Sequence, residues 1–190
     1  IIREFEVTEN NFFVKAGAQL CEEPDAKAWE RVKRMSVMKN NIKVLKETPK
    51  CPNLRTLFLG QNELKVISNG IDELPIELKS LTKLKLSDLS GMRNLRKIPQ
   101  HLISNFFKLQ IFRMWLLQNR DYPNEDNVSN GDNEKLIEEL KGLQCSNILA
   151  TLSKVTIIGC NKLRDMTWLV LAPNLKTLSI IACAKMGEIL

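Results

Sequence analysis

The sequence predicts an α/β solenoid in which short parallel strands line a concave side and irregular or short helical segments form the convex side. The main observation is an apolar rhythm, L-x-x-L-x-L-x-x-(N/C/L), that recurs along the chain. It begins at Val32, Leu54, Leu81, Leu109, Leu152 and Leu175. A second observation is that prolines fall between these stretches, where a missing N–H breaks no strand pairing. One such unit cannot bury its apolar edge alone, so the units are predicted to stack as leucine-rich repeats into a horseshoe arc.

Each repeat is predicted to contribute one strand and one buried turn. The strand of the first repeat covers 35–38, and that of the second covers 57–59. Because side chains alternate along a strand, the leucines face the core and the intervening residues face the concave surface. The asparagine after the strand, as in Asn62, is expected to hydrogen-bond backbone groups of neighbouring turns. Cys160 and Cys183 take this position in the last two repeats.

Two parts of the chain depart from the rhythm. Residues 1–30 predict an N-terminal cover for the first repeat, since an end repeat lacks a neighbour for its apolar face. We expect Trp29 to pack beneath that repeat. The repeats themselves are assigned to 31–190, interrupted by a polar loop over 119–133 and a helix over 133–143. The helix is expected to pack on the solenoid, and a partner-binding helix is the alternative.

Composition narrows the class of protein. The chain has 190 residues, of which 44% are apolar and 26% are charged, as in a globular protein. It contains no apolar run long enough to span a membrane. The net charge is +6, but Lys and Arg are dispersed without the basic and aromatic motif of a nucleic-acid binder. The five cysteines lack a C-x-x-C motif and are expected to be reduced, which favours a cytoplasmic setting.

The sequence carries no recognisable catalytic chemistry. His101 is the only histidine, and no motif places a nucleophile beside it. There is no phosphate-binding glycine motif and no clustered Cys/His spacing for zinc. Adjacent carboxylates such as Glu22 and Glu23 are predicted to be solvated. We therefore expect a protein that is not an enzyme, with no metal and no cofactor in this chain.

The concave strand positions form the predicted protein-binding surface. The candidate binding residues are Arg34, Ser36, Met38, Thr56, Phe58, Lys83, Lys85, Arg113, Trp115, Lys154, Thr156, Thr177 and Ser179. The same rhythm places Gly60, Ser87, Ile111, Ile158 and Ile181 on this face. Exposed Trp and Arg are typical of interaction hot spots, and a basic surface suits an acidic protein patch. The alternative for Trp115 is a position under the polar loop that follows it.

The residues between the leucines are more specific than the leucines themselves. The informative stretches are 29–42, 49–59, 74–81, 95–106 with 114–115, and 163–178. The most distinctive are Lys50-Cys51-Pro52-Asn53-Leu54 and the run from Asp165 through Trp168 to Leu175. In these stretches the chain resembles the repeat region of plant intracellular nucleotide-binding leucine-rich-repeat disease-resistance proteins of the coiled-coil type. The resemblance covers nearly the whole chain.

The resemblance implies a domain that holds a nucleotide switch off and takes part in sensing pathogens. Its implied partners are proteins: its own nucleotide-binding domain, a pathogen effector or a guarded host protein. ATP or ADP is expected only in a domain upstream of residue 1, and 1–5 would end the winged-helix region before the repeats. Two departures, a deletion between Ile67 and Ile71 and a short stretch over 143–152, indicate a fragment or a degenerate copy.

Two other classes of repeat protein are alternatives. A substrate adaptor of a ubiquitin ligase needs an F-box-like helical segment upstream, which 1–30 do not resemble. An extracellular receptor favours N-x-L-x-G-x-I-P tails and paired capping cysteines, which this sequence lacks. In every case the apolar ends of the array predict self-association of the isolated chain.

Overall fold

A single parallel sheet organises the described part of the chain. A computed structural model describes residues 11–45, 51, 53–64, 74, 76–91, 98–115, 140, 142–143, 147–160 and 163–183. The strands are β1 (Phe12–Val14), β2 (Arg34–Ser36), β3 (Thr56–Phe58), β4 (Leu86–Ser90), β5 (Ile111–Trp115), β6 (Lys154–Ile158) and β7 (Thr177–Ile181). The strands pair in sequence order, all in parallel. The result is a repeat-like α/β fold built on one seven-stranded sheet.

Short helices lie between the strands, as parallel pairing demands a return crossing after each strand. The α-helix α1 spans Ala26–Arg31. Helices of the 3-10 type span Ile76–Ser80, Ile103–Asn105, Asn147–Ala150 and Thr167–Leu171. Leucines and isoleucines of these segments, such as Leu78 and Ile148, are buried against the sheet.

The core covers one face of the sheet. At the centre of the strands Met35 pairs with Leu57, and further along Phe112 pairs with Val155, all of them buried. These side chains belong to one continuous apolar cluster that runs from the first strand to the last helix. Burial is less complete at β7, where Leu178 is only partly covered. Each buried side chain of this size contributes roughly 1.5–3 kcal/mol relative to the exposed state.

A hydrogen-bonded turn precedes several of the strands. The N–H of Leu54 donates to the carbonyl of Cys51 at 3.2 Å, and the same turn recurs before β5 and β7. In the third repeat the corresponding bond joins the N–H of Leu84 to the carbonyl of Leu81 at 3.0 Å. The same bond also joins the N–H of Leu81 to the carbonyl of Leu78 at 3.0 Å, so strand pairing sets the frame. Ser87 lies opposite Leu57, and the prediction that this repeat begins at Leu81 was wrong by three residues. The leucines at 81, 84, 86 and 89 match the rhythm from Leu81, whereas the observed frame from Leu84 puts Ser87 where a leucine is expected.

The predicted asparagine hydrogen bonds are confirmed. The Asn62 side chain is 3% exposed, and its amide donates to the carbonyls of Leu59 at 2.7 Å and Val37 at 2.9 Å. Its side-chain oxygen accepts the N–H of Ile42 at 3.3 Å. Asn40 makes the same pattern of bonds one repeat earlier. The two amides thus connect successive buried turns, whose backbone groups would otherwise lack partners.

The N-terminal segment does more than cover the first repeat. Phe12–Val14 forms β1 and pairs in register with β2, so the sheet extends into the 1–30 region. The strand has only three residues and no leading leucine among them, which explains why the leucine rhythm missed it. Trp29 is 1% exposed within the core, as expected, and its indole N–H donates to the carbonyl of Pro24 at 3.2 Å.

Strand ends share an unusual backbone conformation. The residue that leaves the sheet has a positive φ in six repeats: Gly17, Lys39, Gln61, Gly91, Gly159 and Ala182. This conformation turns the chain off the sheet and into the buried turn. One glycine is required for another reason. A Cβ on Gly60 would lie 2.5 Å from the carbonyl oxygen of Ser90, which is a backbone atom of the next repeat.

Some predicted segments lie outside the described residues. These are the polar loop over 119–133, the deletion between Ile67 and Ile71, and most of the helix over 133–143. Of that helix, Leu140 and Leu143 are described, and both are buried. The boundaries 1–30 and 31–190 remain predictions.

Candidate functional site

The candidate site is the sheet face that points away from the core, which we call the open face. Its leading row comprises Phe12, Arg34, Thr56, Leu86, Ile111, Lys154 and Thr177. Its central row comprises Val14, Ser36, Phe58, Asp88, Arg113, Thr156 and Ser179. A trailing row on the longer strands comprises Ser90, Trp115, Ile158 and Ile181. Neighbours within a row are about 4.8 Å apart, so each row is a continuous strip of surface.

Most of the predicted binding residues lie on this face. They are Arg34, Ser36, Thr56, Phe58, Arg113, Trp115, Lys154, Thr156, Thr177 and Ser179, with Met38 just beyond β2. Gly60, which follows β3, is buried. The structure places these residues on one surface, but their role in binding a protein stays a prediction.

Three predicted positions in the third repeat are not on the open face. Lys83 lies in the turn before the strand, and Lys85 immediately precedes β4. Ser87 pairs with Leu57 and is 2% exposed, so it points into the core. This is the consequence of the three-residue error in that repeat. The residues that take their places are Leu86 and Asp88. The leucine positions carry no signal for this frame, because Ser87 stands where the observed frame calls for a leucine.

Arg34 is held on the open face by an aromatic ring. Its guanidinium carbon lies 4.8 Å from the centre of the Phe12 ring, which is a cation–π contact. The stacked guanidinium is restricted in orientation while its N–H donors remain at the edge of the plane. Such an arrangement favours bidentate binding of a carboxylate. The prediction of Arg34 missed this partner because β1 was not anticipated.

Arg113 is engaged by an acidic residue that the sequence analysis did not place on this face. Asp88 Oδ2 lies 3.7 Å from Arg113 Nη1, and Asp88 Oδ1 accepts the N–H of Ser90 at 2.9 Å. The Asp88 side chain is 10% exposed and that of Arg113 is 40% exposed. Arg113 is therefore partly neutralised, and the positive charge of the open face is lower at its centre than the sequence predicts.

The trailing row ends in an apolar strip. Trp115 pairs with Ile158, which pairs with Ile181, and their three strands are adjacent. Trp115 is 37% exposed and Ile181 is 51% exposed. Exposed apolar side chains that are contiguous across strands are typical of interaction surfaces. The alternative of Trp115 lying under the polar loop concerns a loop outside the described residues.

Among the described residues the cysteines form no disulfide bond; they are Cys21, Cys51, Cys160 and Cys183. Burial, assisted by the nearby negative charge of Glu30, raises the pKa of Cys51 to about 12. Burial also raises the pKa of Cys183. Because the thiolate is the nucleophile and the metal ligand, the raised pKa disfavours both roles for Cys51 at neutral pH.

Other reactive groups are scattered. His101 is exposed, in a turn where its carbonyl accepts a hydrogen bond from the side chain of Asn105. Within the described ranges no three His, Cys, Asp or Glu side chains are grouped so that they could hold a metal ion. Nor does any helix in those ranges have the length and apolar character needed to cross a membrane.

The chain is similar in sequence to several plant proteins. A probable disease resistance protein of Arabidopsis thaliana is 32% identical over 169 residues, which cover 87% of this chain. Disease resistance protein UNI of the same plant is 36% identical over 58% of the chain. Disease resistance protein SUMM2, also of Arabidopsis, is 41% identical over 47% of the chain. The chain is homologous to plant disease resistance proteins. A scan against models of protein families finds no match.

The homologous region is a small part of each relative. The chain spans 19% of the first of these Arabidopsis proteins, 12% of UNI and 9% of SUMM2. The resemblance inferred from the stretches between the leucines is thus confirmed as a relation to disease resistance proteins.

Proposed function

We propose that this chain is a leucine-rich-repeat solenoid that recognises proteins and restrains a plant immune receptor. Homology to disease resistance proteins supports the immune role. The seven parallel strands, with one face buried and one open, support the solenoid. The proposed setting is the cytoplasm, and the proposed partners are a nucleotide-binding domain of the same receptor, a pathogen effector or a guarded host protein.

The observation that carries the proposal is the composition of the open face. It presents an exposed Trp115 in an apolar strip and an oriented Arg34 in one continuous surface. Trp and Arg are enriched among the residues that contribute most to protein interfaces. A ligand of protein size matches this surface better than a small molecule, which requires an enclosed pocket lined by convergent polar groups.

A non-enzymatic role is part of the proposal. The buried thiol of Cys51 has a raised pKa, and His101 lies in a turn apart from the open face. We infer that nucleotide binding belongs to another domain of the receptor. The names of the relatives favour an immune receptor over a ubiquitin-ligase adaptor, because they are disease resistance proteins.

A chimera tests this function. In the 32% identical Arabidopsis relative, the homologous segment is replaced by this chain or deleted, and each protein is expressed in leaves. We expect the deletion to cause cell death without a pathogen, and the chimera to remain silent because the repeats restrain the switch. A chimera as active as the deletion contradicts the proposed restraint.

Two variants refine the test. Trp115→Ser in the chimera is expected to release cell death or abolish pathogen recognition. Leu171→Ser is the matched control, because Leu171 is 69% exposed on the helix Thr167–Leu171 and lies outside the open face. In parallel, the purified chain is expected to show no ATP turnover. Measurable hydrolysis that co-purifies with the wild-type chain contradicts the non-enzymatic part of the proposal.

A further inference from the structure

Basic residues repeat at the position that leads into the strands. The residue immediately before β2 is Lys33, the one before β3 is Arg55 and the one before β4 is Lys85. Backbone hydrogen bonds join the three residues in series. The N–H of Arg55 donates to the carbonyl of Lys33 at 2.8 Å, and the N–H of Lys85 donates to the carbonyl of Arg55 at 2.7 Å. All three residues are exposed. We call Lys33, Arg55 and Lys85 the basic row.

The basic row concentrates positive charge without internal compensation. Backbones that bond in this way hold the three residues about 4.8 Å apart, so their side chains repel one another. In the described part of the chain, none of the three forms an ion pair with a carboxylate. Lys83 adds a fourth cation nearby, and its ammonium donates to the side-chain oxygen of Asn53 at 3.2 Å, which is a neutral acceptor.

Arg34 extends the row onto the open face. It follows Lys33 directly, and its guanidinium is held by the ring of Phe12. Beside it in the leading row, Thr56 and Leu86 are uncharged and partly buried. The surface is therefore a short line of cations that lies beside the uncharged side chains of Thr56 and Leu86.

We propose that this surface docks an acidic helix of a protein partner, with its carboxylates facing the basic row and Arg34. Carboxylates at i and i+4 on a helix lie about 5–6 Å apart, which matches the spacing across adjacent strands. Carboxylates on one face of an extended strand lie roughly 6.6–6.8 Å apart, which does not match the spacing of about 4.8 Å between residues of the basic row. A single-stranded nucleic acid is disfavoured because it needs aromatic faces for stacking beside the cations, and Arg34 covers the neighbouring ring of Phe12.

The inference rests on the proposed function in taking protein recognition as the role of this sheet, but it concerns a different region from the Trp115 strip. Because the row immediately precedes β2, β3 and β4 and Trp115 is the last residue of β5, the two regions can be altered separately. The proposal also predicts strong salt dependence, as charge pairs at an exposed rim are screened by ions.

The binding test uses the whole chain and a defined probe. The probe is a fluorescein-labelled, 16-residue helical peptide with Glu at every fourth position and Leu alongside, and the control peptide carries Gln in place of Glu. We expect the triple variant Lys33→Gln, Arg55→Gln, Lys85→Gln to weaken binding of the Glu peptide at least tenfold by fluorescence anisotropy. The matched variant Lys43→Gln, Lys108→Gln, Arg164→Gln removes the same charge at three other exposed positions and is expected to weaken it less than threefold.

In the binding assays, three results overturn the proposal. The first is an equal loss of affinity in the two triple variants, which means that only net charge matters. The second is equal binding of the Glu and Gln peptides. The third is tighter binding of a 16-nucleotide oligothymidine than of the Glu peptide, which assigns the row to nucleic acid. If the first triple variant does not fold by circular dichroism, the wild-type chain decides the question through carbodiimide cross-linking of the Glu peptide.

Cross-linking locates the peptide without any substitution. Bonds from peptide carboxylates to Lys33, Lys83 and Lys85 are expected, and bonds spread equally over Lys108 and Lys176 overturn the proposal. The Trp115→Ser variant is expected to bind the Glu peptide as the wild type does. If the receptor chimera is not restrained but the Glu peptide binds as expected, only the proposed function is rejected. If the chimera is restrained but the Glu peptide does not bind as expected, only this inference is rejected.

Discussion

Asn62 offers the sharpest test of how the repeats hold together. Its side-chain amide and carbonyl satisfy three buried backbone groups, two of which belong to the preceding repeat. Replacing it with Ala removes all three bonds at once. The carbonyl of Val37 keeps a partner, because the amide of Asn40 also donates to it at 2.8 Å. The N–H of Ile42 and the carbonyl of Leu59 lose the side chain that binds them.

The expected magnitude follows from these two groups. A buried backbone group left without its partner costs about 1–3 kcal/mol, so Asn62→Ala, which leaves two such groups, is expected to lower the free energy of unfolding by about 2–6 kcal/mol. Asn62→Asp is expected to cost more at pH 7, because a carboxylate turns both donated bonds into repulsion with carbonyl oxygens. Asn62→Cys should cost less than Ala, since Cys160 and Cys183 occupy this position elsewhere and a thiol is a weak donor.

Urea unfolding followed by circular dichroism measures these differences. The control is Asn174→Ala, which removes one bond from an exposed asparagine to the carbonyl of Ala150 and should cost less than about 1 kcal/mol. Acidification should narrow the gap between the Asp and Ala variants, because the buried carboxyl has a raised pKa and donates again once protonated. An Asn62→Ala variant within about 0.5 kcal/mol of the wild type refutes the reasoning.

Three further predictions address register, packing and protonation. Ser87→Lys should lower the free energy of unfolding by more than about 3 kcal/mol, because it buries a charge. Thr82→Lys in the exposed turn should change the free energy of unfolding, measured in urea, by less than about 0.5 kcal/mol, and equal effects of the two variants contradict the register. Gly60→Ala should cost about 1–3 kcal/mol through its clash with the next repeat, while Gly142→Ala, with open space around the added Cβ, should gain about 0.5–1 kcal/mol, and thermal unfolding compares them. Cys51 should resist iodoacetamide at pH 8 in the folded chain. The pKa of this thiol is about 12 in the folded chain and 9.0 in the unfolded chain, so its contribution to stability is complete below pH 9 and is lost as the pH rises towards 12. Rapid labelling of Cys51 in the folded protein at pH 8 contradicts the raised pKa.

The leucine pattern predicted the parallel strands of the second, fourth, fifth and sixth repeats well because there the matching frame is also the one that strand pairing adopts. In the third repeat, leucines at 81, 84, 86 and 89 match the rhythm from Leu81, but the observed frame begins at Leu84 and places Ser87 at a leucine position. The neighbouring strands choose, since backbone pairing with β3 and β5 places Ser87 in the core. β1 escaped notice for a related reason: a three-residue strand carries too little pattern and exists because β2 offers a free edge.

For the candidate site, sequence alone determined the chemical character of the surface and the kinship of the chain. The positions of Arg34, Phe58 and Trp115 on the face opposite the core follow from the alternation of side chains along a strand. Tertiary structure decided which charges remain available. The Asp88–Arg113 pair, the stacking of Arg34 on Phe12 and the alignment of the basic row all join residues from different strands. Such contacts depend on how repeats of unequal length are registered across the sheet, and only the assembled sheet sets that registration.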